Sequence, residues 1–408
     1  MKWLNEKDIE NFLSETNYDI KISRNARWID QKCAADVVTI VADCILNFAE
    51  AHPGSEFTSI DIWHHDYTVC NVESIFKKPN PDEIKARNEY DKFFQQPMEM
   101  LSYAGVLSKR KSGNRNIYRI QNRDILTFIS IRERNALLFL VYYIKNVITD
   151  SGLWSLFENF FKYESQAAYQ KVKNGFSSFT IHNTPIKGET ECNRIFIKIL
   201  NPLAYFYNKC GTERGRLSHH KITYDMLMYN RDNFRDLYSN KPKEMTRKEY
   251  AAQTGISVDT NYTNYISQKA KKILRIFNDT FRKGQTELYD PKHIGDIATH
   301  MHHIFPEAEF PEICGYIENL IALTPTQHLN YAHPLGNTQV IDTAYQHILL
   351  LAKISSIEKN IFSTTEEHIY EFSKMIYVLF IGFDDDNFRE IEQNNFPEVI
   401  QEVNKKYA

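Results

Sequence analysis

Histidine changes charge closest to neutral pH, and its ring nitrogens can both take protons and bind metals. Five of the chain's 14 histidines fall between positions 300 and 333: His300, His302, His303, His328 and His333. Among them stands Asn319, sixteen residues after His303 and nine before His328. Thr299-His300-Met301-His302-His303-Ile304-Phe305-Pro306 reads as the end of one strand, and the apolar run Leu320-Ile321-Ala322-Leu323 as a second. Thr324-Pro325-Thr326-Gln327 carries a helix-start signature. Thr324 is the N-cap, Pro325 sits at N1 where its missing N–H costs nothing, and Gln327 at N3 completes a capping box. His328 then lies in the first turn, facing back to the histidine pair. Neighbouring strand residues point to opposite faces, so His302 and His303 have different jobs, while His300 shares the face of His302.

This order of His pair, Asn and helical His resembles the HNH nucleases, whose ββα-metal finger cuts nucleic acid with one divalent ion. The resemblance covers about forty residues, from His300 to Thr338. Phosphodiester hydrolysis requires a deprotonated water, neutralised charge on the phosphate oxygens and a stabilised leaving oxygen. The resemblance implies His303 as general base, His302 as metal ligand and Asn319 as the residue that holds the loop and orients the base. His328 is assigned as the second protein ligand, at a helix N-terminus whose partial positive charge favours phosphate. Two or three imidazoles favour Mn²⁺, Ni²⁺ or Zn²⁺ on softness, whereas cellular abundance favours Mg²⁺.

The chain departs from the fuller family pattern twice. The CxxC pairs that hold a structural zinc in many members are missing, with Thr324 and Gln327 where the second pair would stand. Packing by Phe305, Phe310, Ile317 and Leu320 is expected to replace them. The last motif residue would fall at Ala332, and His333 comes one position later. In a regular helix that is about 100° off the ligand face. His333 and His300 are therefore competing candidates for a further metal or phosphate contact.

The elements around this motif read mainly as helix. Residues 34–51 are apolar at helical spacing and end at Pro53-Gly54. A short helix opens near Phe57–Asp61, and Asp82 to Ala104 forms another that Pro97 kinks or restarts. A hairpin follows, turning at Ser112-Gly113-Asn114 and carrying Lys109, Arg110, Lys111, Arg115 and Arg119. Three helices and a basic hairpin outline a winged helix-turn-helix, a DNA-binding arrangement. The bland alternative is a small helical domain with a solvated turn. Residues 125–165 are helical core, Phe176–Ile181 a strand, and Gly211 to Lys221 a glycine-rich basic loop in which Arg214 and Arg216 could follow a phosphate backbone. Tyr265 to Arg282 is an amphipathic helix with Ile266, Ala270, Ile273, Leu274 and Phe277 inward and Lys271, Lys272 and Arg275 outward. After the finger, helices are expected at about 339–358, with Ile341, Ala344, Ile348 and Leu351 inward, and at 366–381.

A net charge of −3 gives no global pull toward nucleic acid, so local basic stretches must supply any such contact. The 42% hydrophobic and 25% charged fractions are those of an ordinary globular chain. The six scattered cysteines form no CxxC pair and read as reduced core thiols of a cytoplasmic protein. There is no signal-peptide pattern, no membrane-length apolar run, no internal repeat and no ATPase P-loop.

The expected architecture is mainly α with α+β parts. Residues 1–124 form a winged-helix-like DNA-recognition domain, 125–245 a central helical and α+β region, and 246–408 the nuclease domain with C-terminal helices. The expected function is that of a type II restriction endonuclease cutting double-stranded DNA as a homodimer, with one divalent ion per site and no membrane association. Alternatives are a modification-dependent or homing-type nuclease, a nonspecific toxin-like nuclease, and a DNA-binding regulator whose finger is structural or decayed.

Overall fold

The helical stretch Ala35–Leu46 is buried on every side, its few polar residues included. It belongs to the larger of two compact units, which divide the chain at Arg231/Asp232. The computed structural model describes residues 4–76, 78–86, 89, 91–229, 253, 260–289, 296–332 and 342–408. It is mostly helical, 62% helix against 9% strand, and its described strands form three two-stranded antiparallel sheets. No single described helix is long and apolar enough to cross a membrane. All six cysteines are free thiols, and Cys33, Cys44, Cys192 and Cys314 are buried.

The first unit begins with α1 (Glu6–Ser14), α2 (Ile20–Ser23), α3 (Ala35–Ala51), α4 (Ser59–Trp63) and α5 (Asp66–Phe76). Two carboxylates are tolerated within α3 because each is bonded: Asp36 accepts from the Tyr229 amide at 2.9 Å, and Asp43 from the Tyr67 hydroxyl at 2.7 Å. Thr58 and Asp61 form a capping box that starts α4. The helix expected from Asp82 is shorter and broken. A 3₁₀ turn at Ile84–Ala86 and a π-wound stretch at Asp91–Gln95 precede α6 (Gln96–Tyr103). Pro97 cannot donate into a preceding turn, so the regular helix restarts beside it. Then come β1 (Leu107–Ser112), β2 (Arg115–Ile120), α7 (Arg123–Ile131), α8 (Glu133–Asp150), α9 (Trp154–Tyr163), α10 (Gln166–Asn183) and α11 (Glu189–Phe206). Both α7 and α8 pack on α3, so residues on either side of position 124 share one core.

Two expectations fail in this unit. Phe176–Ile181 lies inside α10, where Tyr169, Val172, Phe176 and Thr180 are buried at helical spacing. The run Gly211–Lys221 is a hairpin of β3 (Cys210–Glu213) and β4 (Arg216–Lys221), turned at Arg214 and Gly215, both with positive φ. Asn201 clamps it by bonding both the N–H and the C=O of Thr212, at 2.8 and 2.9 Å. Gly211 permits this approach, since a Cβ there would lie 2.5 Å from the Asn201 side-chain oxygen.

The chain thereby uses one local device twice. Alpha-helix α6 ends with Gly105 at φ 80°, and α11 with Asn208 at φ 55°. The next N–H reaches back five residues in each case, Val106 to Leu101 and Lys209 to Ala204. Each hairpin closes on that same residue, through Gln121 to Val106 and Ile222 to Lys209. The sequences share no pattern that announces this, because the hydrogen bonds are backbone to backbone.

The second unit contains α12 (Thr260–Phe281), β5 (His300–His303), β6 (Leu320–Leu323), a π-wound segment Gln327–Ala332, α13 (Thr343–Ile361), α14 (Phe372–Phe383) and α15 (Phe396–Lys406). Phe305, Ile317 and Leu320 are buried here and Phe310 partly so. A side chain at Gly382 would collide with the Phe305 ring, so the glycine is required there. The inward face of α13 is not the expected one. Ile341 lies outside the described residues, Ala344 and Ile348 are exposed, and Leu351 is half-buried. The buried positions are Leu349, Leu350, Lys353, Ile354, Ile357 and Asn360. Two polar residues on that stripe hide it from an apolar count. The helix expected from 366 starts at Phe372, because Asn360 holds the preceding turn by bonding the Ile369 amide and the Glu367 carbonyl.

Candidate functional site

Strands β5 and β6 pair antiparallel in the register His300–Leu323, Met301–Ala322, His302–Ile321 and His303–Leu320. All four β6 side chains are buried, which anchors β5 and fixes the faces of its histidines. His300 and His302 share one face, and the ring of His328 comes to both. It stacks on His300 with centroids 4.6 Å apart and meets His302 edge-on at 5.1 Å.

His328 is held there by the capping box read from the sequence. The Gln327 amide donates to the Thr324 hydroxyl at 3.2 Å, and the Thr324 amide to the Gln327 side-chain oxygen at 3.1 Å. The Thr286 hydroxyl donates to the same oxygen at 2.6 Å, and the Gln327 side-chain nitrogen donates to the Leu288 carbonyl at 3.1 Å. Thr324 and Gln327 are fully buried. The segment that follows, Gln327–Ala332, is π-wound rather than α-helical. His333 itself lies outside the described residues.

His303 faces the other way. Its Nε2 lies 2.9 Å from the Cys314 carbonyl oxygen. A carbonyl only accepts, so Nε2 carries the proton and Nδ1 keeps the basic lone pair. Burial pushes its pKa below the ordinary imidazole value, and the Lys271 charge acts in the same direction. The Cys314 carbonyl and the Glu307 carboxylate oppose them without prevailing. His303 is therefore neutral at pH 7, as a general base has to be.

Asn319, fully buried, ties the intervening loop shut. Its side-chain oxygen accepts from the Phe305 amide at 2.9 Å, and its side-chain nitrogen donates to the Phe305 carbonyl at 3.0 Å and the Ile313 carbonyl at 3.4 Å. Ile313 precedes Cys314, so the same loop presents the carbonyl that fixes His303. Glu307, which sequence reasoning missed, stands 3.7 Å from the His303 Nδ1 and accepts from the Ser267 hydroxyl at 2.8 Å. Its only signal is an acidic residue four positions after His303.

Imidazole lone pairs lie in the ring plane. The nearly parallel stack of His300 on His328 therefore does not aim both rings at one point. The edge-on pair His302 and His328 does suit a shared ion: two imidazoles bound at about 2.1 Å hold their centroids roughly 4.5–5.2 Å apart. Among the described residues no three His, Cys, Asp or Glu side chains form a ready ligand set. The residues fit a two-histidine site that completes its coordination with water or phosphate oxygens.

The basic residues are distributed unevenly. In the first unit Lys109 is paired with Glu99 at 2.6 Å, and Arg110 with Glu56. The hairpin's charge thus has internal anions that the sequence reading did not find. Lys111, Arg115 and Arg119 are exposed on this hairpin, and Arg214 and Arg216 on β3–β4. In the second unit Lys271 is 3.9 Å from Glu307, Lys272 is exposed, and Arg275 donates to the Thr299 carbonyl at the start of β5. No family model matches the chain, and neither a curated protein nor a solved structure is significantly similar to it.

Proposed function

We propose that this protein is a metal-dependent endonuclease of the HNH type, acting on double-stranded DNA. The observation that carries the reading is the His303 arrangement. A neutral imidazole has its outer nitrogen fixed by a backbone carbonyl, on a loop locked by Asn319, beside a strand and helix turn that bring His302 and His328 together.

In this mechanism His303 takes a proton from water at Nδ1 while Nε2–H stays on the Cys314 carbonyl. Asn319 keeps that carbonyl in place, and its role is geometric. Glu307 faces the newly protonated nitrogen. His302 and His328 would hold the divalent ion, with Mg²⁺ first and Mn²⁺, Ni²⁺ or Zn²⁺ as alternatives. When bound, the ion neutralises charge on the phosphate oxygens and stabilises the leaving oxygen.

The first unit supports a recognition role. Phe57 makes a single antiparallel bridge to Tyr118 of β2, which with the surrounding helices is compatible with a winged-helix order. However, Gln96 through Leu101 of α6 are all buried, so this helix offers no reading face to a groove. Recognition then falls to the hairpins. Cutting both strands at a specific site, as a type II restriction enzyme does, calls for two active sites and thus a homodimer. This reading places the protein in the cytoplasm.

A DNA-binding regulator with a structural finger is the second reading, favoured by the lack of a third described metal ligand. The test is incubation of the full chain with unmodified plasmid and phage DNA in Mg²⁺ or Mn²⁺, beside EDTA and His303→Ala controls. Discrete fragments lost in both controls support the endonuclease, and a smear points to nonspecific cutting. Intact DNA with gel shifts unchanged by His303→Ala supports the regulator.

A further inference from the structure

In the first unit, far in sequence from the histidine cluster, two lysines converge on one phenol. Lys32 Nζ lies 2.6 Å and Lys78 Nζ 2.8 Å from the Tyr229 hydroxyl oxygen. Both ammonium groups also lie over the Tyr229 ring, at 4.0 and 4.9 Å from its centroid. The cluster is fixed from several sides. Asp36 holds the Tyr229 amide, the Phe76 and Phe93 rings flank its ring, and Gln96 accepts from the Lys32 amide.

Its donors and acceptors do not balance. Ammonium groups only donate, so the two lysines occupy both lone pairs of the phenol oxygen. The Tyr229 hydroxyl hydrogen must then find an acceptor, and no described residue supplies one. Glu89 pairs with Lys78 at 3.0 Å. Lys32 has no carboxylate within ion-pair distance among the described residues, although its charge acts on Glu89, and like charges this close repel strongly.

We propose that Lys32, Lys78 and Tyr229 form a binding site for a phosphoryl group. Such a group brings several acceptor oxygens and further negative charge, beyond the one Glu89 carboxylate that faces the two lysines. It could arrive as a free phosphate compound or as the 5′ end of a nucleic acid. Burial pushes the Tyr229 phenol up, but the bonds and charges of the two lysines outweigh it and hold it below its ordinary value. This is the response of a phenol in a cationic pocket. The proposal is independent of the nuclease reading, since it uses none of that site's residues.

The test is calorimetric titration of the full chain with inorganic phosphate, in EDTA so that no metal binds the probe. Saturable binding is expected, weakened about tenfold or more by Lys32→Gln or Lys78→Gln and less by Tyr229→Phe. Lys32→Arg, which keeps the charge, should retain it, and thermal melts of each variant separate lost binding from lost folding. Absence of saturable binding, or equal affinity in folded Lys32→Gln, overturns the proposal. So does a phenolate absorbance at neutral pH that vanishes in Tyr229→Phe, because Tyr229 itself would then be the counter-ion. Oligonucleotides with and without a 5′-phosphate distinguish the sources. A gain from the 5′-phosphate that Lys32→Gln abolishes identifies a nucleic-acid end, and equal binding of the two identifies a free phosphate compound.

Discussion

The Glu287 carboxylate and the Lys353 ammonium meet at 3.1 Å with almost no exposure, and the same carboxylate accepts from the backbone amide of Ala322 in β6 at 3.0 Å. Arg282 adds a second cation at 3.0 Å, and Lys353 also donates to the Tyr370 hydroxyl. This cluster joins the segment just after α12 to β6, α13 and the turn before α14. Lys353→Met should destabilise the second unit by about 3–5 kcal/mol, because it leaves a buried carboxylate short of one of its two cations. Denaturation of the full chain, followed transition by transition, measures it. Adding Glu287→Gln should recover much of the loss, and no recovery would show that Lys353 acts by packing alone.

The same carboxylate makes the second unit acid-sensitive. Burial pushes Glu287 up, yet the Lys353 and Arg282 charges hold it below its ordinary value. A depressed carboxylate contributes stability that is complete above the unfolded pKa, near 4.3, and is lost as pH falls through the folded value. Melting temperature should therefore drop below about pH 4 in the wild type, and more shallowly in Glu287→Gln.

Asn319→Ala should cost about 2–4 kcal/mol, since it orphans the Phe305 amide and carbonyl in the interior. If the His303 geometry is what Asn319 maintains, cleavage should fall sharply while Mn²⁺ affinity, measured calorimetrically, changes little. A parallel loss of metal binding would place Asn319 among the groups that build the ion site.

His302→Ala and His328→Ala should each weaken Mn²⁺ or Ni²⁺ binding by at least about tenfold, whereas His303→Ala should leave it intact and abolish cutting. The opposite faces of β5 make this separation possible. Equal effects at all three positions would mean that they act as one cluster.

In the β1–β2 hairpin, Glu56 neutralises Arg110 internally. Glu56→Gln should release that cation for DNA and steepen the salt dependence of binding by up to about 0.9 per added phosphate contact. Arg115→Ala and Arg119→Ala should make it shallower. Identical slopes in all variants would remove this hairpin from the interface.

The histidine strand and the Thr324–Gln327 cap were legible because they obey short-range rules: strand alternation, helix capping and apolar runs. Asn319 was legible through the resemblance of its motif alone. Glu307 and the Cys314 carbonyl were not. One is an ordinary acidic residue until α12 packs beside it, and the other is a backbone group with no side-chain signature. The face of α13 was misread because Lys353 and Asn360 are buried by partners distant in sequence. The strand expected at 176–181 came from a window too short to show Tyr169 and Val172 continuing the helical stripe.

Thr324 and Gln327 stand where many fingers of the HNH type, which the motif resembles, use cysteines, and they secure the turn of His328 with four hydrogen bonds. In a cysteine-held finger, chelation removes the scaffold along with the ion. Here side-chain and backbone hydrogen bonds hold the turn, so under the proposed function stripping the ion would leave it standing. On that reading an apo form of this unit would keep its fold and could be refilled with one ion after another without refolding between them.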